Sequence, residues 1–264
     1  MSKHTLAQAL AAQITEGKKL FVPYIVAGEH GFDTLKETIL FLEKCGVSAI
    51  ELGIPFSDPV ADGPTIQDAG QRALKRGVTL EKVLTFLASF TERKVPILLM
   101  TYINPIFVYG IDRFAEDCQK AQVSGVIIPD VPMEEEKMIA PALTTHDIAF
   151  IRLAAMTSTK DRLTALAQKS EGFLYAASVT GTTGTRAAHD EAVYTYLKHL
   201  KEISSVPVLA GFGVSSVEQA QKLQAQCDGV IVGSKIVELL AENEYEAVQT
   251  LIQNSMQVKA HLSS

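Results

Sequence analysis

Eight times along this chain a short apolar, β-branched run is followed by a turn and then by a stretch of helical periodicity. Nothing else in the sequence restricts the fold so strongly. Continuous apolar strands separated by helices are buried as a parallel sheet with helices over its outer face. Strands are expected at 20–26 (LFVPYIV), 49–53, 96–101 (PILLMT), 125–128, 148–153, 172–177, 206–209 and 229–232. Helices are expected at 32–45, 65–75, 80–92, 111–122 (after a turn at 102–105) and 134–144. Further helices are expected from Ser158, at 190–203, from Ser215 or Ser216, at 233–240 and at 245–261. Glu218 is spaced to complete a capping box at the 215/216 start. An additional helix at 5–15 precedes the first strand.

Eight such units in 264 residues match the size of a (β/α)8 TIM barrel, about 250 residues. No long linker, charge block or low-complexity segment interrupts them. Residues 1–264 therefore read as a single barrel domain with an extra N-terminal helix. A doubly wound sheet is the competing architecture, but it rarely needs eight consecutive repeats, and no GxGxxG follows the first strand.

The net charge of −6 with no basic stripe argues against nucleic-acid binding, and it is compatible with a small anionic ligand held by local backbone dipoles. Cys45, Cys118 and Cys227 are far apart in apolar patterns and read as buried free thiols. No CxxC or clustered His/Cys spacing supports a metal site. No signal-peptide h-region opens the chain and no stretch approaches 18 apolar residues, so a cytoplasmic location is expected.

In a barrel the chemistry lies at the C-terminal ends of the strands. The segment ELGIPFSDPVADGP, residues 51–64, ends a core strand in an acid and continues as a proline-stiffened loop carrying Asp58 and Asp62. Glu51 on a rigid strand and Asp62 on a loop over the same mouth suit acid/base catalysis, in which two carboxylates hold different protonation states. A buried ion pair for Glu51 and a plain Asp-Gly turn for Asp62 are equally compatible with the residues alone. Across the mouth, Gly181-Thr182-Thr183-Gly184, Gly211-Phe212-Gly213 and Gly233-Ser234 follow the last three strands. Glycines there admit close backbone approach, and Ser234 opens a helix, so a phosphate cradle is expected.

Other groups carry less. His4, His146, His199 and His261 lie on helices or beside one and are expected at the surface, while His30 and His189 sit in loops without a nucleophile signature. No strand end carries a lysine, which disfavours Schiff-base chemistry. The acidic run 134–136 reads as a helix N-terminus facing its dipole.

At residues 51–64 the sequence resembles the signature of the tryptophan synthase α subunit family, whose members are (β/α)8 barrels. The resemblance extends through FVPY at 21–24, TYINPIF at 101–107, PDVP at 129–132, GFGVSS at 211–216 and GSKIV at 233–237. It implies retro-aldol cleavage of indole-3-glycerol phosphate to indole and glyceraldehyde 3-phosphate. By resemblance Glu51 is the general acid/base and Asp62 the acceptor of the indole N–H. The implied indole pocket is Phe21, Met100, Tyr102, Ile127, Ile151 and Phe212, with Tyr175 near the reacting end. The implied phosphate site is Gly184, Gly213, Gly233 and Ser234, and Thr183 is the hydroxyl that meets the catalytic aspartate on loop closure. The family commonly has Gly-Val-Thr-Gly where this chain has Gly181-Thr182-Thr183-Gly184, a departure that bears on closure of loop 178–189.

The resemblance further implies a partner, the pyridoxal-phosphate-dependent β subunit, in an α2β2 complex. The α chain itself is expected to carry no cofactor and no metal. Pro55, Phe56, Asp58, Asn104, Pro105, Asp130 and Pro132 are expected to face the partner.

Overall fold

The computed structural model describes residues 2–177 and 186–257, with 186–189 described as backbone. Nine parallel strands form one sheet: β1 Leu20–Val26, β2 Ile50–Gly53, β3 Ile97–Met100, β4 Gly125–Ile127, β5 Ala149–Ile151, β6 Leu153–Ala155, β7 Leu174–Ala177, β8 Val208–Gly211 and β9 Gly229–Val232. Their order is β5-β4-β3-β2-β1-β9-β8-β7-β6. The two end strands are separated in the chain by Arg152 alone, so the sheet closes on itself. The expected fifth strand is thus a single strand in two halves, the first paired with β4 and the second with β7. Eight strand units make the expected barrel.

Twelve α-helices are described, and most form the outer ring: α1 Lys3–Thr15, α2 Phe32–Lys44, α3 Pro64–Lys75, α4 Leu80–Ser89, α5 Ile103–Tyr109, α6 Ile111–Lys120, α7 Ala140–Thr145, α8 Lys160–Lys169, α9 Arg186–Ile203, α10 Val217–Gln224, α11 Ser234–Ala241 and α12 Tyr245–Met256. Alternation along each strand divides the core in two. Leu20, Val22, Leu98, Ile127, Ile151, Leu209 and Ile231 point into the barrel, while Phe21, Ile50, Leu52, Val126 and Val230 pack outward under the helices. The N-terminal helix α1 is a plug: its Leu6 and Leu10 join the inner cluster against Phe173 and Ala149. A Cβ on Gly172 would lie 2.6 Å from Leu6 Cδ2, so the chain passes under α1 at glycine distance.

Several local expectations are corrected. The turn at 102–105 is instead the start of α5; Pro105 stands in the first helical turn, where the backbone N–H it lacks would have no intrahelical acceptor. The helix at 134–144 is a 3-10 turn, Glu136–Met138, followed by α7. Thr159, not Ser158, caps α8 by accepting from Arg162 N–H. Ser216 caps α10, and Gln219 rather than Glu218 reaches back, its Oε1 accepting from Ser215 N–H at 2.8 Å. Glu136, expected on a helix N-terminus facing its dipole, is instead buried and bonded to Arg152 through both carboxylate oxygens, at 2.8 and 2.9 Å. His4 is exposed, but His146 and His199 are half-buried, and His199 Nε2 is buried without a hydrogen-bond partner. His261 and the His189 side chain lie outside the described residues. All three cysteines are free and buried.

Candidate active site

Glu51 is the second residue of β2, paired in register with Tyr24 of β1 and Leu98 of β3. Its parity on the strand sends the carboxyl into the barrel, where it is 1 % exposed. Both carboxyl oxygens are buried without a hydrogen-bond partner. Burial, with the Asp62 charge as a second cause, pushes its pKa up to about 8. The shift favours the neutral carboxylic acid at pH 7. The ion pair that the sequence left open is not found among the described residues, and an unpaired buried acid costs free energy that a structural role does not explain.

Asp62 is half-buried on the loop between β2 and α3. Tyr102, at the N-cap of α5, donates its hydroxyl hydrogen to Asp62 Oδ2 at 3.1 Å and accepts from Ala61 N–H at 2.9 Å. Phe56 packs on the Tyr102 ring, centroids 5.3 Å apart. The tyrosine thus holds the loop down and points the aspartate over the mouth. Burial raises the Asp62 pKa, while the Tyr102 hydrogen bond pulls it back, so the two acids sit in different environments.

A cavity of about 670 Å³ opens at this end of the barrel, with Ala61, Met100, Ile151, Leu153, Tyr175 and Gly211 on its walls. Met100, Ile127 and Ile151 all project inward as the implied pocket requires, Ile127 and Ile151 fully buried in the floor. Tyr175 lies across Gly211, its ring filling the space where a Cβ on that residue would stand. Phe212 is half-buried with its ring 6.2 Å from that of Tyr196 on α9. Phe21 is a correction: it is fully buried on the outer face of β1, on the opposite side from Leu20 and Val22. The β1 aromatic at the mouth is Tyr24, which the sequence reading missed. It is 6 % exposed, and its hydroxyl lies where a Cβ on Gly53 would be.

Across the mouth, Gly213 adopts φ +62°, a conformation favouring glycine, and the space where a Cβ would stand is open to 4 Å. Gly233 is the N-cap of α11 and makes no side-chain cap, which leaves the N–H groups of Ser234 and Lys235 without acceptors among the described residues. Thr183, Gly184 and the rest of the strand-six loop lie outside the described residues.

The expected partner-facing residues all lie at this end. Pro55 is buried, Phe56 and Pro105 half-buried, and Asp58, Asn104, Asp130 and Pro132 exposed. Asp130 has a structural task as well, accepting from the Ile103 N–H at 3.0 Å at the start of α5. Val60, Phe107 and Val108 are 84, 59 and 91 % exposed, an apolar group that the sequence reading passed over. No helix among the described residues is long and apolar enough to cross a membrane.

A closed parallel barrel with a neutral, partnerless acid under its mouth and bare helix N–H groups across it is built as an enzyme of carboxylate acid/base chemistry on an anionic substrate. The family model described as "Tryptophan synthase alpha chain" matches residues 10–263. A tryptophan synthase alpha chain of Oceanobacillus iheyensis is 57% identical over 257 residues, covering 97% of this chain and 98% of its own. One from Listeria welshimeri is 53% identical over 238 residues, covering 90% and 92%. Among solved structures, tryptophan synthase subunit alpha from Legionella pneumophila superposes with TM-score 0.85 at 31% identity, covering 97% of each chain. Tryptophan synthase of Mycobacterium tuberculosis superposes with TM-score 0.87 at 32% identity, covering 96% and 98%. The chain belongs to the tryptophan synthase alpha chain family.

Proposed function

We infer that this chain cleaves indole-3-glycerol phosphate to indole and glyceraldehyde 3-phosphate, with Glu51 moving the proton and Asp62 holding the indole. The observation that carries the reading is the orphaned Glu51 carboxyl inside the barrel, its pKa pushed up to about 8. A retro-aldol cleavage of this kind starts from a carboxylic acid. Glu51 gives its proton to indole C3, and the ring nitrogen takes up the positive charge. Asp62 accepts from the indole N–H and stabilises that charge. The Glu51 carboxylate then removes the proton of the side-chain hydroxyl next to the scissile bond. That oxygen becomes the aldehyde carbonyl, the C–C bond breaks, and its electrons restore the indole ring. Glu51 ends protonated, as it began.

Met100, Ile127 and Ile151 supply apolar walls for the heterocycle, with Tyr102 and Tyr175 beside the acids and Phe212 on the strand-eight loop. Gly213, Gly233 and Ser234, together with Gly184, would hold the phosphate through backbone N–H groups. Thr183 would meet Asp62 as loop 178–189 closes over the substrate. Residues 1–264 act as one cytoplasmic domain. The family's pyridoxal phosphate belongs to the β chain, and no cofactor is assigned to this one. The surface of Pro55, Phe56, Asp58, Asn104, Pro105, Asp130 and Pro132, extended by exposed Val60, Phe107 and Val108, is where the β chain would dock to receive indole.

The test is indole release by Glu51→Gln, alone and with the β chain. A fall in kcat by about 10²–10⁴ with near wild-type substrate affinity is expected. Turnover near the wild-type rate would reject the assignment. A wild-type protein that releases no indole in either condition would leave a binding subunit instead.

A further inference from the structure

Gly53 is the next inward-facing position above Glu51 on β2, and the space its side chain would fill is taken by the Tyr24 phenol. Tyr24 is also the register partner of Glu51 on β1. The phenol therefore leans over β2 at the level of Gly53, on the mouth side of Glu51. Tyr102 spends its hydroxyl on Asp62 and Ala61. The two Glu51 oxygens have no hydrogen-bond partner among the described residues, and the Tyr24 phenol lies within electrostatic reach of that carboxyl. A hydroxyl donor and an unpartnered acid therefore stand on paired positions of adjacent strands.

We propose that Tyr24 is a positioning residue for the cleavage: its phenol donates to the Glu51 carboxylate after that acid has released its proton to the substrate. The proposal rests on the acid/base reading of Glu51. At rest Glu51 is protonated, and its carbonyl oxygen offers the phenol only an ordinary neutral acceptor. Once Glu51 is an anion in this buried site, a hydrogen bond to it becomes strong. The other groups facing Glu51 are Tyr175 from β7 and Asp62 from the β2–α3 loop. Asp62 opposes the Glu51 charge, and no cation among the described residues offsets it. That leaves a hydroxyl donor to stabilise the transient carboxylate. It also accounts for a glycine at 53, since any side chain there would expel the phenol.

Tyr24→Phe keeps the ring and removes only the donor. Steady-state cleavage across pH, with the β chain present, should show kcat about tenfold lower with KM little changed. Glu51 must start protonated, so activity falls as pH rises through its pKa. Loss of a donor to the charged form raises that pKa, and the basic limb of the kcat profile should move to higher pH. Gly53→Ala, which keeps the phenol but displaces it, should move the limb the same way. A wild-type kcat, or a lowered kcat with an unmoved limb in either variant, overturns the proposal. An inactive Glu51→Gln beside a wild-type Tyr24→Phe rejects this role alone. An active Glu51→Gln rejects the acid/base reading beneath it.

Discussion

Two of the buried glutamates flank the wall of this barrel, one on each face, and they are handled in opposite ways. Glu136 lies outside the sheet, and its carboxylate is gripped by Nε and Nη2 of Arg152 at 2.8 and 2.9 Å. Arg152 in turn donates to the Phe150 and Lys169 carbonyls. That network spans the point where β5 gives way to β6 and fixes the seam at which the barrel closes. Glu51 lies inside, one strand face away from the helices, and its carboxyl has no hydrogen-bond partner among the described residues. Both acids are desolvated, yet only one has its charge neutralised by the protein. A buried acid with its own cation serves the fold, whereas one without is kept as a proton donor.

The comparison is broken most directly by exchanging each acid for its amide or alanine. Glu51→Gln should cost two to four decades of kcat, on the order of 10²–10⁴, while stabilising the protein near pH 8. The sign follows from linkage: a raised folded-state pKa means that folding favours the protonated form. The penalty on the wild type is therefore absent below the unfolded value of about 4.3 and grows until the pH passes the folded value of about 8. Urea titrations at several pH values should show the two proteins diverging over that window, and a constant gap would contradict the shift.

Glu136→Ala should do the reverse, losing about 3–5 kcal/mol of stability by stranding Arg152, with a far smaller loss of turnover in the folded fraction. Denaturant unfolding checks the first part, and a variant as stable as wild type would make the seam network dispensable. Tyr102→Phe lies between the two, because it frees Asp62 and the loop without touching Glu51. Indole release slowed several-fold with an elevated Asp62 pKa is expected, and an unchanged rate would show that the loop holds itself. Arg162→Ala, which removes the exposed pair with Glu134, should leave the unfolding midpoint almost where it was.

Much of this was readable beforehand, and the failures have physical reasons. The strands at 20–26 and 229–232 are where the apolar runs put them, since burial on both faces leaves an unbroken signature. Glu51 was legible as a candidate because an acid ending an apolar run stands out, and Asp62 because its proline-stiffened loop follows that strand. Phe21 was misplaced, and Tyr24 missed, because a strand's two faces differ by one residue and the register Tyr24–Glu51 cannot be read from a single chain. The break at Arg152 had a signal, a cation between Ile151 and Leu153, but its partner stands 16 residues away in a stretch read as helix. Pro105 suggested a turn because proline breaks helices everywhere except in their first turn. Gly53 read as the end of a strand and Gly211 as part of the phosphate cradle, yet they are the spaces into which Tyr24 and Tyr175 fit.

The central claim is that Glu51 is protonated at neutral pH inside the barrel. Carboxyl ¹³C chemical shifts of glutamate-labelled protein, with Glu51→Gln to assign the resonance, test it without recourse to turnover. The account predicts one glutamate titrating near about 8 that vanishes in the variant. A Glu51 resonance titrating in the ordinary range, near about 4.3, would contradict it.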